Sequence, residues 1–148
     1  MRRLVVLVLT RKADTAVAAL AAASREVEFV IGETAEAVAH AAPKAEAVFF
    51  QSGDSALLDC VLAMAPLVRW VHAAFSGVDR ILSPYFVAHP ARLTNTRGVF
   101  GRALAEFALG SMLYFAKDFA RMRKNQAKGV WAPFVVTMLE GKTLGVVG

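Results

Sequence analysis

Few side chains in this 148-residue sequence are equipped for chemistry. The histidines are His40, His72 and His89, and the single thiol is Cys60. His72 closes the apolar run Val68 to His72, which places it at a strand end, where it either contacts a substrate or serves as a hydrogen-bonded structural group. His40 and His89 fall at a predicted helix end and in a loop. No Ser-His-Asp order, HExxH pair or carboxylate dyad occurs, so the hydrolase and zinc-protease chemistries those patterns support are not indicated. One cysteine makes no internal disulfide and offers no thiolate pair to zinc, so no metal site is expected and a reducing, cytoplasmic compartment is. Cys60 sits on an apolar predicted helix and reads as a small core residue.

Charge is concentrated in one place. Lys117, Arg121, Arg123, Lys124 and Lys128, against the single acid Asp118, supply a net +4 of the chain's +5. Such a run could bind phosphate or nucleic acid, but aromatic interleaving and a nucleic-acid motif are absent, and a solvated helix end is the simpler reading. No nucleic-acid partner is expected.

The elements that must position these groups are regular. With 57% hydrophobic and 20% charged residues the chain has ample material for a core. Leu4 to Leu9 is a continuous apolar run, the pattern of a strand covered on both faces. Arg2-Arg3 before it imitates the start of a signal peptide, but the run stops at Thr10-Arg11-Lys12, short of the usual apolar stretch. Asp14 stands as a helix cap before Ala16 to Ala23. Val27 to Ile31, Ala47 to Phe50 and Val68 to His72 repeat the strand signal. Between them lie predicted helices over Thr34 to Ala42, stopped by Pro43, and Ala56 to Ala65, stopped by Pro66, with Gly53-Asp54-Ser55 as turn and cap. This alternation argues for a parallel α/β sheet whose ligands gather beyond the strands' C-terminal ends, so the loops after the third and fourth strands are the ones to search.

Beyond His72 come a loop, a Pro84-containing turn and a short strand near Arg92 to Thr94. From Phe100 to about Asn125 the pattern predicts one helix about 39 Å long, apolar on more than one face, as in helices that bridge two domains or two subunits. Its stretch Ala103 to Ala116 is below membrane-spanning length and reads as a helix buried between protein surfaces. Glu106 is the lone acid of that stretch. It either pairs with Arg102 one turn earlier or orients groups in a cleft or subunit contact. Finally, Gly141-Lys142-Thr143-Leu144-Gly145-Val146-Val147-Gly148 reads as a turn, a short apolar strand and a glycine. A dinucleotide-binding βαβ unit opens in this way, although only the first glycine of its fingerprint is present.

In order along the chain, Val68-Arg69-Trp70-Val71-His72, Phe75-Ser76-Gly77-Val78-Asp79, Leu93-Thr94-Asn95-Thr96-Arg97-Gly98-Val99, Ala105-Glu106-Phe107, Trp131 and Gly141 to Gly148 resemble the D-isomer-specific 2-hydroxyacid dehydrogenase family. The wording is similar to its glyoxylate/hydroxypyruvate-reductase-like branch. The resemblance implies a flavodoxin-like substrate domain over residues 1–98, an interdomain and dimerisation helix with its connector over 99–140, and over 141–148 the first strand of a truncated Rossmann domain. It implies that backbone amides of the loop Ser76, Gly77, Val78 and Asp79, with His72 nearby, meet a substrate carboxylate. A glycine-containing run of amides suits that role, because it presents dipoles to an anion without a cationic side chain.

It further implies that Asn95, Arg97 and Gly98, with Glu106 beyond them, form the interdomain hinge, and that Gly145 and Gly148 belong to an NAD or NADP site. The family's catalytic arginine, glutamate and histidine would lie further on, leaving none in this sequence, so the chain alone is expected to be inactive. Two departures bear on substrate size: Ser76 where alanine is usual, and bulky Phe75 beside it. The parent would be a homodimer through the 100–125 helix, acting on small 2-oxo or 2-hydroxy acids without a membrane partner. Two alternatives stay open. One is a non-enzymatic, dinucleotide-sensing relative like the C-terminal-binding-protein corepressors; the other is a free-standing flavodoxin-like binding domain.

Overall fold

The computed structural model describes residues 3–10, 19 and 25–147. Contacts divide the chain into two compact units, Met1–Gly98 and Val99–Gly148. The first is built on five parallel strands, β1 (Leu4–Leu9), β2 (Val27–Gly32), β3 (Ala47–Phe50), β4 (Trp70–Ala73) and β5 (Arg92–Asn95), in the order β2-β1-β3-β4-β5. That order is the flavodoxin-like one. Among the described residues, four helical segments connect the strands: α1 (Ala35–Val38), a 3-10 turn over Ala42–Lys44, α2 (Ser55–Met64) and α3 (Pro84–Ala88). The predicted helix over Ala16 to Ala23 lies, apart from Ala19, outside the described residues.

Alternation along each strand sorts side chains between two faces. Val5, Leu7 and Leu9 of β1 join Val48, Phe50 and Val71 on the face packed by Val38, Leu58, Val61, Leu62, Ile81 and Phe86. Val6 and Val8 take the opposite face with Ala47, Val27, Phe29 and Phe49. β1 is thus apolar on both faces because both are covered, which is why its sequence lacks alternation.

The helices start on polar caps. Asp54 Oδ1 accepts from the N–H groups of Ala56 (3.0 Å) and Leu57 (3.3 Å) to open α2. Ser83 Oγ accepts from Phe86 N at 3.0 Å and donates to Asp59 Oδ1 at 2.7 Å, capping α3 and tying it to α2. Pro84 is therefore the first residue of a helix rather than part of a plain turn, a position where its missing N–H costs nothing. The helix expected to reach Ala42 ends at Val38. The bonds Ala39 N to Glu36 O and Ala41 N to Val38 O tighten the chain, and Pro43 lies inside the following 3-10 turn. Gly32 turns the chain against this short helix: a Cβ there would lie 2.7 Å from Val38 Cγ1. Cys60 is exposed on α2, not in the core, because the buried stripe of that helix runs through Leu58, Val61 and Leu62.

The second unit departs more from expectation. The single helix expected over 100–125 is two, α4 (Gly101–Ala116) and α5 (Phe119–Ala127). Asp118 breaks it by adopting left-handed φ/ψ of 49° and 53°, and its carboxylate then caps α5 by accepting from Arg121 N at 3.2 Å. Aspartate tolerates this region better than most residues. The following segment folds back on the junction, where Thr137 N donates to Ala116 O (2.9 Å), Lys117 Nζ donates to Thr137 O (2.8 Å) and the Arg121 guanidinium sits 4.2 Å from the centroid of the Phe134 ring. Part of the basic run is thereby committed to local structure.

No described residue of α4 or α5 is buried, so the helix expected between protein surfaces is uncovered in this chain. Glu106 is exposed, and no ion pair joins it to Arg102. Residues 142–147 form no strand, since none of the described residues offers them a ladder. No helix of the described residues is long and apolar enough to cross a membrane.

Candidate functional site

Parallel strands leave their ligand-binding loops at one edge, and a cleft of the first unit is there. The loop after β3 is fixed by Gln51 N and Ser52 N, which both donate to Leu9 O at 2.9 and 3.0 Å. Gly53 then takes φ 76°, and Asp54 N donates to Ser52 Oγ at 3.2 Å. The loop after β4 begins where Ala74 N donates to Phe50 O at 2.9 Å and the Phe75 ring meets the Phe50 ring edge-on at 6.0 Å. Between the two loops is a cavity of about 430 Å³ lined by Ser52, Gly53, Phe75, Gly77, Asp79 and Arg80.

Gly77 is central to what this cleft can do. A Cβ added there would meet nothing within 4 Å, so the space beside its backbone is open. Neither the Gly77 nor the Val78 N–H has an acceptor among the described residues. Two successive free amides, the first on a residue that lines the cleft, are the kind of donor pair that can receive an oxyanion. Arg80 adds a cation and Asp79 an opposing carboxylate at the same wall.

Ser76 is exposed and does not line the cavity; its hydroxyl donates to Thr96 O at 3.0 Å. Asn95 Nδ2 donates to Ser76 O at 2.6 Å. His72 lies off the cleft, on the sheet face with Phe49, whose ring it stacks on at 5.8 Å, and both of its nitrogens are engaged. Trp70 Nε1–H donates to Thr94 Oγ1 at 2.8 Å; in the Nε2–H tautomer of His72, that hydroxyl donates to His72 Nδ1 at 2.8 Å. The Nε2–H then faces Thr96 Oγ1 at 3.4 Å, and Thr96 Oγ1 donates to Ala73 O at 3.0 Å. Every polar group in this chain of bonds is satisfied.

Of the other hinge and cofactor candidates, Arg97 is exposed, Gly98 has φ 83°, a value glycine accommodates freely, and Gly145 lies in the strandless segment 142–147. Gly148 lies outside the described residues. Ser52, Gly53 and Arg80 line the cleft, and motif reading did not single them out. The usable signal was positional, since the strand order marks the loop after β3 as a cleft wall. His40 is exposed, and His89 Nδ1 accepts from Ala91 N at 3.2 Å. No group of three His, Cys, Asp or Glu among the described residues could hold a metal ion.

Comparison with solved structures gives the same architecture. A D-isomer specific 2-hydroxyacid dehydrogenase family protein from Aeromonas salmonicida is 21% identical over 96% of this chain and 44% of its own, with a TM-score of 0.75. The corresponding protein from Klebsiella pneumoniae is 23% identical over 93% of this chain and 42% of its own, with a TM-score of 0.70. A D-lactate dehydrogenase from Aquifex aeolicus, solved with NAD and lactic acid, is 17% identical over 88% and 39%, with a TM-score of 0.64. This chain therefore spans less than half the length of these relatives. Residues 6–143 match the family model for the catalytic domain of D-isomer specific 2-hydroxyacid dehydrogenases. With nearly the whole chain under that match and the sheet order in agreement, the chain belongs to the D-isomer specific 2-hydroxyacid dehydrogenase family.

Proposed function

We propose that this chain is the substrate-binding portion of an NAD(P)-dependent oxidoreductase that acts on the CH–OH group of small D-2-hydroxy acids and reduces 2-oxo acids such as glyoxylate or hydroxypyruvate. The observation that carries the reading is the pair of acceptor-free amides at Gly77, which lines the cleft, and its neighbour Val78, in a chain of this family. Those amides hold the substrate carboxylate, Phe75 limits the space beside it, and Arg80 lies within the same wall. A carboxylate so held presents its neighbouring carbon at a defined position, which is the contribution orientation makes to catalysis.

Of the two glycines expected at a dinucleotide site, Gly145 alone lies among the described residues, so no pyrophosphate site is built from them. No step through the nicotinamide is assigned to these residues, and NAD or NADP is proposed for the complete enzyme from family membership. The same reading places the general acid/base outside this sequence and pairs two copies through the uncovered faces of α4 and α5.

Reading the coding sequence past Gly148 and assaying its complete product tests this. The expected result is the remaining fingerprint glycines, a later arginine, glutamate and histidine, and oxidation of NADH or NADPH with glyoxylate or hydroxypyruvate. The 148 residues alone should give none. A complete product that reduces no 2-oxo acid overturns the proposal, and turnover by the 148 residues alone overturns the assignment of the reacting groups elsewhere.

A further inference from the structure

The loop that carries Gly77 is attached to the end of β5 by three hydrogen bonds. Asn95 Nδ2 donates to Ser76 O (2.6 Å), Ser76 Oγ donates to Thr96 O (3.0 Å), and Thr96 N donates to Phe75 O (3.4 Å). The first of these acts on the proposed anion donor itself. Ser76 C=O and Gly77 N–H belong to one planar trans peptide, so they point in opposite directions and turn together. Fixing the carbonyl against Asn95 turns the Gly77 N–H away from β5, and Gly77 lines the cleft. A donor on the carbonyl also polarises the peptide and strengthens the N–H as a donor to a third group.

From this geometry we infer that Asn95 is a positioning residue for anion binding, aiming and polarising the Gly77 N–H through the Ser76 carbonyl, with the Ser76 hydroxyl as its brace. The inference rests on the carboxylate reading of the cleft. It gives the side chains of Ser76 and Asn95 work that neither contacts the ligand to perform. An alanine at position 76 keeps the carbonyl that Asn95 holds but loses the brace to Thr96. Asn95 also lies three residues before Gly98, whose φ of 83° marks the exit of the chain from the first unit.

The test uses the 148-residue chain labelled with ¹⁵N, titrated with oxalate, with the Gly77 and Val78 amides followed by NMR and the melting temperature recorded for every variant. Wild type should shift at both amides. Asn95→Ala should weaken oxalate about three- to tenfold, the worth of one hydrogen bond to a polar group. Asn95→Asp should weaken it further by setting an acceptor against the Ser76 carbonyl. Ser76→Ala should weaken it less, and Ser76→Thr, which keeps the hydroxyl, should restore it.

The Gly77 proton of Asn95→Ala should also move upfield without ligand, a change that a merely structural role shared by the whole loop would not confine to this amide. Oxalate binding at Gly77 that is unchanged in both Asn95 variants overturns the positioning role and leaves the carboxylate reading standing. No shift at Gly77 in folded wild type overturns both. Should Asn95→Ala fail to fold, Asn95→Asp and the Ser76 pair carry the same comparison.

Discussion

Phe50 and Phe107 are the same residue type on regular elements of one chain. Phe50, on β3, has no exposed surface, whereas Phe107, on α4, is 76% exposed. The difference follows from what each element can cover. A strand in the middle of a parallel sheet has neighbours on both edges and packing against its faces, so β1 and β3 bury nearly everything they carry. A pair of helices with one returning segment offers a single seam, and α4 carries apolar residues around more than that seam. The second unit is joined by the Asp118 cap, Lys117 on Thr137, Arg121 over Phe134 and one aromatic pair, Tyr114 edge-on to Phe119 at 5.9 Å. Apolar composition alone therefore does not make an interior; the geometry of cover does.

The largest expected effect separates the two phenylalanines directly. Phe50→Ala should destabilise the chain by about 3–5 kcal/mol, whereas Phe107→Ala should stay within about 0.5 kcal/mol, both read from urea unfolding by circular dichroism. Phe107→Ala should also reduce self-association in sedimentation, because it removes part of an uncovered apolar face. A loss at Phe107 equal to that at Phe50 would mean that α4 is packed in solution.

Caps sharpen the comparison at a smaller scale. Asp54→Ala, which opens the buried-stripe helix α2, should cost about 1 kcal/mol of global stability. Asp118→Ala should cost about 1–2 kcal/mol, felt locally as faster amide exchange at the start of α5, since it removes a cap and leaves an alanine in left-handed backbone. Asp118→Gly should cost only a few tenths. Equal exchange in the two Asp118 variants would show that backbone strain plays no part there.

The smallest effect concerns Glu36, whose carboxyl is held below the ordinary glutamate range by its own backbone N–H and then by the Thr34 hydroxyl. A depressed folded-state value means that its stabilising contribution is present above the unfolded pKa and is lost as pH falls through the folded one. A carboxyl titration by NMR that places Glu36 at the ordinary glutamate value would remove this contribution.

The sheet was legible because burial on both faces leaves uninterrupted apolar runs, and Leu4–Leu9 and Ala47–Phe50 fall where those runs fall. Caps were legible where a short polar side chain precedes an apolar stretch, as at Asp54. Asp118 was not, because its effect depends on a backbone angle that an acidic residue within a basic helical pattern does not announce. Cys60 was misplaced because an alanine- and leucine-rich helix hides which stripe faces inward. In the site, the Gly77 loop could be picked out by resemblance, but Ser52 and Arg80 enter only when two loops 25 residues or so apart in sequence meet at one sheet edge, a proximity set by parallel pairing. The bond from Asn95 to Ser76 was hidden for the same reason.

The tryptophan side chains add a practical consequence. One belongs to each region: Trp70 is 47% exposed and donates to Thr94 across the β4–β5 ladder, whereas Trp131 is 93% exposed. Their fluorescence therefore has two independent sources, one that changes when the sheet edge opens and one that already reports water. In a Trp131→Phe chain the emission colour becomes a direct optical gauge of the strand that leads to Asn95, readable on the stopped-flow timescale.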